Sequence, residues 1–179
     1  QAQHQHGEPK AMPQATAASA PASAAKPARK PKSQLGMGTA FAPDGTLWWV
    51  GLNADGQMVI QSAALLPASP VQGAVRPLPL QWSVPRVIDI GGDPVSADGE
   101  NHPKLLFGPN NLVLIAYTRP LAKPNAGYVR LLRSLDGGKT FAPPVTVHAD
   151  LQEITHRFES IGFDAKGVLH AIWIDKRDL

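Results

Sequence analysis

Three stretches of the sequence repeat one pattern: a short apolar run, a tight polar turn, and a second apolar run rich in aromatic residues. They are Gly38 to Gly51 (GTAFAPDGTLWWVG), Lys104 to Thr118 (KLLFGPNNLVLIAYT) and Ser160 to Asp175 (SIGFDAKGVLHAIWID). Their turns are Pro43-Asp44-Gly45, Pro109-Asn110-Asn111 and Asp164-Ala165-Lys166-Gly167. These supply the Gly and Asn residues that tolerate positive φ, which a tight connection between antiparallel strands requires. Each stretch is therefore predicted to be a β-hairpin. No segment sustains a 3.6-residue apolar period, and the apolar runs are short and split by Gly, Asn, Asp and Pro. The expected class is all-β.

Counting from Gly45 to Asn111 to Gly167 gives separations of 66 and 56 residues, more than a bare hairpin uses. In the middle period two further strands are legible, Tyr128 to Ser134 (YVRLLRS) and Phe141 to His148 (FAPPVTVH). Four antiparallel strands repeated at this spacing read as one blade of a β-propeller. The first unit would run from Gly36 through a strand at Gln57 to Ala63 and close near Val87 to Ile90. The third stops after two strands, so residues 36–179 are expected to hold about two and a half four-stranded blades. An open array of this kind leaves a strand edge prone to pairing. The remaining blades are expected from a longer form of the same protein or from another chain.

Residues 1–35 have a different texture and read as a disordered tail. The first 33 contain ten Ala and five Pro with almost no large apolar side chain, too little to offset the entropy of ordering. Pro9, Pro13, Pro21, Pro27 and Pro31 interrupt every window in which the Ala residues would nucleate a helix. The tail also carries the net charge. Five of the 17 Lys and Arg side chains and only one of the 14 Asp and Glu fall there, leaving 12 basic and 13 acidic groups in residues 34–179. A near-neutral body without a basic patch interleaved with aromatics argues against a nucleic-acid partner.

The absence of Cys removes disulfides, thiol nucleophiles and Cys-based zinc sites. No cofactor is implied. His4 and His6 in the tail are weak candidates for copper or nickel, and no other metal site is expected. No run of 18 apolar residues exists, so no membrane span is predicted. The chain begins at Gln1 without an apolar leader, as a mature protein does after its signal peptide is removed, and a periplasmic or secreted location is expected.

Between the third and fourth predicted strands of the middle unit lies Ser134-Leu135-Asp136-Gly137-Gly138-Lys139-Thr140-Phe141. It matches the Asp-box pattern Ser-x-Asp-x-Gly-x-Thr-Trp, with Phe141 in place of Trp. Asp136 is expected to accept backbone N–H bonds across the turn, Gly137 and Gly138 to take positive φ, and Phe141 to pack beneath. Through Ser134, Asp136, Gly138, Thr140 and Phe141, residues 36–179 resemble the sialidase-like, BNR-repeat propellers. Trp173-Ile174-Asp175-Lys176-Arg177-Asp178 is similar to a strand end of bacterial members. In that family the Asp box is structural and lies on the face opposite the active site, so it points to a fold and not to a reaction.

The resemblance sorts the loops. If the Asp-box turn and the three hairpin turns share the bottom face, the top face carries Asn53 to Gly56, Asp98 to His102, Arg119 to Gly127, His156 to Glu159 and Asp175 to Asp178. Ligand-binding candidates are then Glu100, His102, Arg119, His156, Arg157, Glu159, Asp175 and Arg177; for each, the alternative is a solvated or salt-bridged loop charge. Sialidases hold the substrate carboxylate with three arginines, whose planar fork grips it bidentately, and they attack with a Tyr activated by Glu, an Asp serving as acid/base. This chain departs from that pattern. Ser83-Val84-Pro85-Arg86 has the early Arg-Ile-Pro elements in the wrong order, and the only tyrosines, Tyr117 and Tyr128, fall in predicted strands. Three functions remain open: a non-catalytic glycan- or protein-binding propeller, the N-terminal part of an exo-sialidase-type glycoside hydrolase, and a structural subunit of an exported assembly.

Overall fold

The computed structural model of the chain describes residues 35–65 and 80–177. His4, His6, Asp178 and all of the predicted tail except Leu35 lie outside them. The described residues are all-β and contain no helix, and hence none long and apolar enough to cross a membrane.

Three antiparallel sheets follow one another along the chain and none closes into a barrel. The first contains β1 (Gly38–Phe41), β2 (Leu47–Leu52), β3 (Met58–Leu65), β4 (Leu80–Trp82) and β5 (Arg86–Val87), with both β4 and β5 paired to β3. The second is a four-stranded meander of β6 (Lys104–Phe107), β7 (Val113–Pro120), β8 (Gly127–Ser134) and β9 (Val145–Thr146). The third is the hairpin of β10 (His156–Phe163) and β11 (Leu169–Asp175). All three predicted hairpins are present, and their turns work as the residues dictate. Asn110 and Asn111 take φ of 55° and 61°, the successive left-handed positions of a tight hairpin turn.

Proline explains where the fourth strands depart from expectation. The strand predicted over Phe141 to His148 is reduced to Val145–Thr146, because Pro143 and Pro144 have no N–H to give to a ladder. The one predicted over Val87 to Ile90 is instead two short pieces on β3, Leu80–Trp82 and Arg86–Val87, separated by Ser83-Val84-Pro85. Ile88 and Ile90 are buried and join the core.

That core fills the space between the first two sheets. Val50, Met58 and Ile60 cluster with Leu105, Val113 and Ile115, and Trp48 packs edge-on to Phe107 with ring centroids 5.6 Å apart. The sheets come closest where β1 lies on β6. A Cβ added to Gly38 would stand 2.2 Å from the carbonyl oxygen of Pro103. The third sheet packs through β10 against β6, β7 and β8.

One end of the molecule collects the hairpin turns. Gly137 N–H donates to Asn111 O at 2.9 Å, tying the β8–β9 turn to the β6–β7 turn. The Phe163 ring covers Gly108. Residues Pro43, Asp44, Asn110, Asn111 and Gly137 line one shared cavity. The β8–β9 turn itself is closed by side chains. Ser134 Oγ donates to Asp136 Oδ1 at 2.7 Å and accepts Gly138 N–H at 2.8 Å. Asp136 accepts the Thr140 hydroxyl at 2.6 Å and Thr140 N–H at 2.9 Å, and these bonds hold its carboxyl well below the usual carboxylate range. Gly137 and Gly138 have φ of 74° and 82°, and Phe141 packs against the core.

The contact at Gly38 yields a direct test. A methyl group there forces β1 off β6, and overpacking of this kind costs about 1–3 kcal/mol. The expected result for Gly38→Ala is a lower urea midpoint with an unchanged denaturant slope.

Candidate functional site

The other end of the molecule is built from polar loops that follow the strands: the β2–β3 turn, the approach to β6, the β7–β8 turn, the segment before β10, and the end of β11. Asp93 is the first hub there. Its carboxylate accepts the Tyr117 hydroxyl at 2.9 Å and Arg130 Nε–H at 3.0 Å, and Arg119 Nε lies 3.1 Å away as an ion-pair contact. Burial of Tyr117, followed by its bond to Asp93, raises its hydroxyl above the ordinary value.

A β-bulge in β10 forms the second hub. Arg157 pairs with Ile174 and Ser160 with Ile172, so Phe158 and Glu159 together face Trp173 alone. Phe158 takes the left-handed φ of 59° that the bulge requires. On a regular strand His156 and Glu159, three residues apart, would point to opposite faces. The extra residue turns both toward the second sheet. Glu159 Oε2 lies 2.7 Å from Thr118 Oγ1, and the side chain is 1% exposed. Thr118 Oγ1 also lies 2.8 Å from Asn101 Oδ1, which accepts Phe158 N–H at 3.1 Å.

That geometry leaves one hydroxyl proton for two acceptors. Asn101 Oδ1 and Glu159 Oε2 therefore compete for the Thr118 hydroxyl, and a charged Glu159 left without it is poorly satisfied there. Burial works in the same direction and raises the Glu159 carboxyl above its ordinary value of 4.5, against the pull of the Thr118 hydroxyl and the Lys104 charge. Lys104 donates to Glu100 O at 3.0 Å and His102 O at 2.8 Å, and burial lowers its ammonium.

The third hub surrounds His156, which is fully buried. Its Nδ1–H donates to Gly127 O at 3.2 Å. Its Nε2 lies 3.5 Å from Asp150 Oδ2 and 3.6 Å from Asp175 Oδ2. His148 stacks on the ring with centroids 3.9 Å apart. His148 Nε2 accepts Val129 N–H at 3.2 Å, so its proton sits on Nδ1 and goes to Asp150 O. Burial lowers the His148 imidazole below its ordinary value, which favours that neutral ring. Burial pushes Asp175 up, but the Arg177 backbone N–H and the charges of Arg177 and His156 outweigh it and leave its carboxyl lowered.

The residues singled out by sequence thus divide among these hubs. His156 and Asp175 come together, with Arg177 Nε 2.9 Å from Asp175 Oδ2. Glu159 is buried at the junction between sheets. Arg119 ends β7 and is committed to Asp93, while Arg157 lies 3.6 Å from Asp98 Oδ1 with its guanidinium 5.2 Å over the Phe158 ring. His102 is half-buried, donating from Nδ1 to Gly99 O at 2.6 Å, and Glu100 is exposed. The segment His156 to Glu159, expected as a loop, is the start of β10, and Arg119 belongs to β7. Sequence reasoning missed Asp93, Asn101, His148 and Asp150, none of which falls in a motif. The spacing His148-Ala149-Asp150 ahead of an apolar strand was the one local signal.

No protein-family model matches the chain, and neither the curated proteins nor the solved structures contain a match to it.

The Glu159 geometry sets a pH dependence. The folded state favours the protonated acid, so its stabilising contribution is complete below the unfolded-state value and is lost as pH rises through the higher folded-state value. Between about pH 4 and about pH 8, the urea midpoint of Glu159→Gln is expected to rise relative to the parent. A constant difference would show that both states of the chain bind this proton equally.

Proposed function

We propose that residues 36–179 are blades of a sialidase-like propeller acting as a non-catalytic module that binds a glycan or protein through its loop-rich end, in a periplasmic or secreted setting. Support for the architecture comes from the second sheet, a four-stranded antiparallel meander with the Ser134, Asp136, Gly138 and Thr140 turn between its third and fourth strands. The hairpin turns lie beside that turn, which leaves the polar loops together at the other end.

The observation that carries the non-catalytic reading is the commitment of the reactive side chains. Tyr117 is fully buried and donates to Asp93, and Tyr128 donates to Leu151 O. Arg119 and Arg130 are held by Asp93, and Arg157 faces Asp98. A Tyr nucleophile and a cluster of arginines open to a substrate carboxylate are what a sialidase would need. The residues left at the surface, Glu100 and Arg177, suit contact with a ligand better than chemistry on it.

A second feature favours further sheets beyond β11, from the same or another chain. Among the described residues β11 pairs only with β10, and Ile172 and Ile174 are 70% and 50% exposed. An uncovered strand of this kind invites pairing.

The test is a glycan-array screen of the labelled full chain, followed by calorimetry on any hit and a fluorogenic sialoside assay. Saturable binding without turnover is expected, weakened about tenfold by Glu100→Ala or Arg177→Ala, the range of a moderate interface residue. Turnover of the sialoside would replace this reading with a hydrolase. Absence of any sugar binding, with assembly into larger species, would favour the structural subunit.

A further inference from the structure

Asp150, His156 and Asp175 come from three separate places, the segment before β10, the first residue of β10 and the last residue of β11. They nevertheless bring one ligand atom each to within 4.8 Å of one another. Each side chain has its other heteroatom fixed by the backbone. Asp150 Oδ1 accepts Gln152 N–H at 3.0 Å, His156 Nδ1–H donates to Gly127 O at 3.2 Å, and Asp175 Oδ1 accepts Arg177 N–H at 3.1 Å. The inward atoms, Asp150 Oδ2, His156 Nε2 and Asp175 Oδ2, are buried and make no hydrogen bond. Buried polar atoms are normally satisfied, so two that converge without a partner, Asp150 Oδ2 and His156 Nε2, beside an Asp175 Oδ2 that has only an ion-pair contact with Arg177, call for an occupant. With Nδ1–H given to the backbone carbonyl of Gly127, Nε2 is the ring nitrogen left to face the two carboxylates, and the backbone bond fixes the ring in the orientation a metal-binding imidazole takes.

The structure assigns this cluster as a binding site for a divalent first-row transition ion, zinc in the first place, held by His156 Nε2, Asp150 Oδ2 and Asp175 Oδ2. Zinc bonds to nitrogen and carboxylate oxygen of about 2.1 Å at tetrahedral angles place neighbouring ligand atoms about 3.4 Å apart. The observed 3.5 Å and 3.6 Å fit that edge. They are too long for a charged imidazole sharing its proton with either carboxylate, which would draw in to about 2.7–2.9 Å. Calcium and magnesium are poorer fits, since both favour sets made up of oxygen ligands. Three protein ligands leave a fourth coordination position open. Arg177 competes: its Nε lies 2.9 Å from Asp175 Oδ2, but the side chain is 55% exposed and free to swing outward. The assignment does not depend on the glycan- or protein-binding reading, and it adds a site to the tail histidines His4 and His6.

The test uses the full chain stripped with EDTA and titrated with zinc chloride by calorimetry, and with cobalt(II) by visible absorption, which reports tetrahedral coordination. His4→Ala/His6→Ala removes tail binding as a background. One equivalent of zinc is expected to survive in that variant and to bind at least about tenfold more weakly when Asp150→Asn or Asp175→Asn is added. Arg177→Ala, which keeps all three ligands, is expected to tighten binding several-fold. Circular dichroism identifies any ligand variant that fails to fold, and Arg177→Ala then carries the decision. Loss of all zinc binding with His4 and His6, or equal affinity in the folded Asn variants and the parent, would overturn the assignment.

Discussion

The second sheet and β10 meet through a buried hydroxyl, and much of the loop-rich end follows from how that hydroxyl is satisfied. Thr118 Oγ1 sits between Asn101 and Glu159, one from the approach to β6 and the other from the strand stacked above. Asn101 Oδ1 accepts both the Thr118 hydroxyl and Phe158 N–H, and Phe158 lies in the bulge of β10. Left-handed φ at a bulky residue costs of the order of 1–2 kcal/mol, so Phe158 is held there by its surroundings. Buried polar groups in a low-dielectric junction are costly when unsatisfied, and the bulged register is the one in which Thr118 Oγ1, Asn101 Oδ1, Glu159 Oε2 and Phe158 N–H meet. The same bulge turns His156 inward, so the junction between sheets and the cluster around His156 share a single local cause.

The hairpins were legible because turn chemistry is local. Asp44, Asn110, Asn111 and Gly167 act on their own neighbours, and the sequence carries everything their turns need. The Ser134 to Phe141 turn was legible for the same reason, since Ser134, Asp136 and Thr140 bond within seven residues of chain. The fourth strands were less so. Apolar content suggested ladders at Phe141 to His148 and Val87 to Ile90, but a ladder also needs N–H groups. Pro143, Pro144 and Pro85 withhold them, leaving short pieces.

The site was only half legible, and the division follows contact order. His156, Arg157, Glu159, Asp175 and Arg177 stand out as charged residues beside predicted strands. Their partners do not: Asp98 lies far upstream of Arg157, and Asp93 gathers Tyr117, Arg119 and Arg130 from two strands of another sheet. Nothing in a single sequence distinguishes these aspartates from solvated ones. The bulge was equally hidden, because one extra residue in a polar segment reads as a loop end. Once it is present, two charged side chains expected at a surface become buried, and their chemistry changes from ligand contact to internal satisfaction.

A hairpin of two strands is marginally stable in water on its own, and this one shows alternate residues of β11 to solvent, Ile172 and Ile174 among them. Its position must therefore come from β10 packing on the second sheet and from ties at its ends. At the turn end Phe163 covers Gly108, an apolar contact that sets distance but little direction. At the loop end the ties are directional: Gly127 N–H to Ile154 O, Lys176 N–H to Thr155 O, and the convergence of Asp150, His156 and Asp175. The two carboxylates repel each other at that point, and positive charge between or beside them steadies the arrangement. Arg177 supplies part of it from the surface. An ion seated among the three would supply it from within, fixing the segment before β10 to both strands of the hairpin and anchoring its loop end where packing alone is weakest.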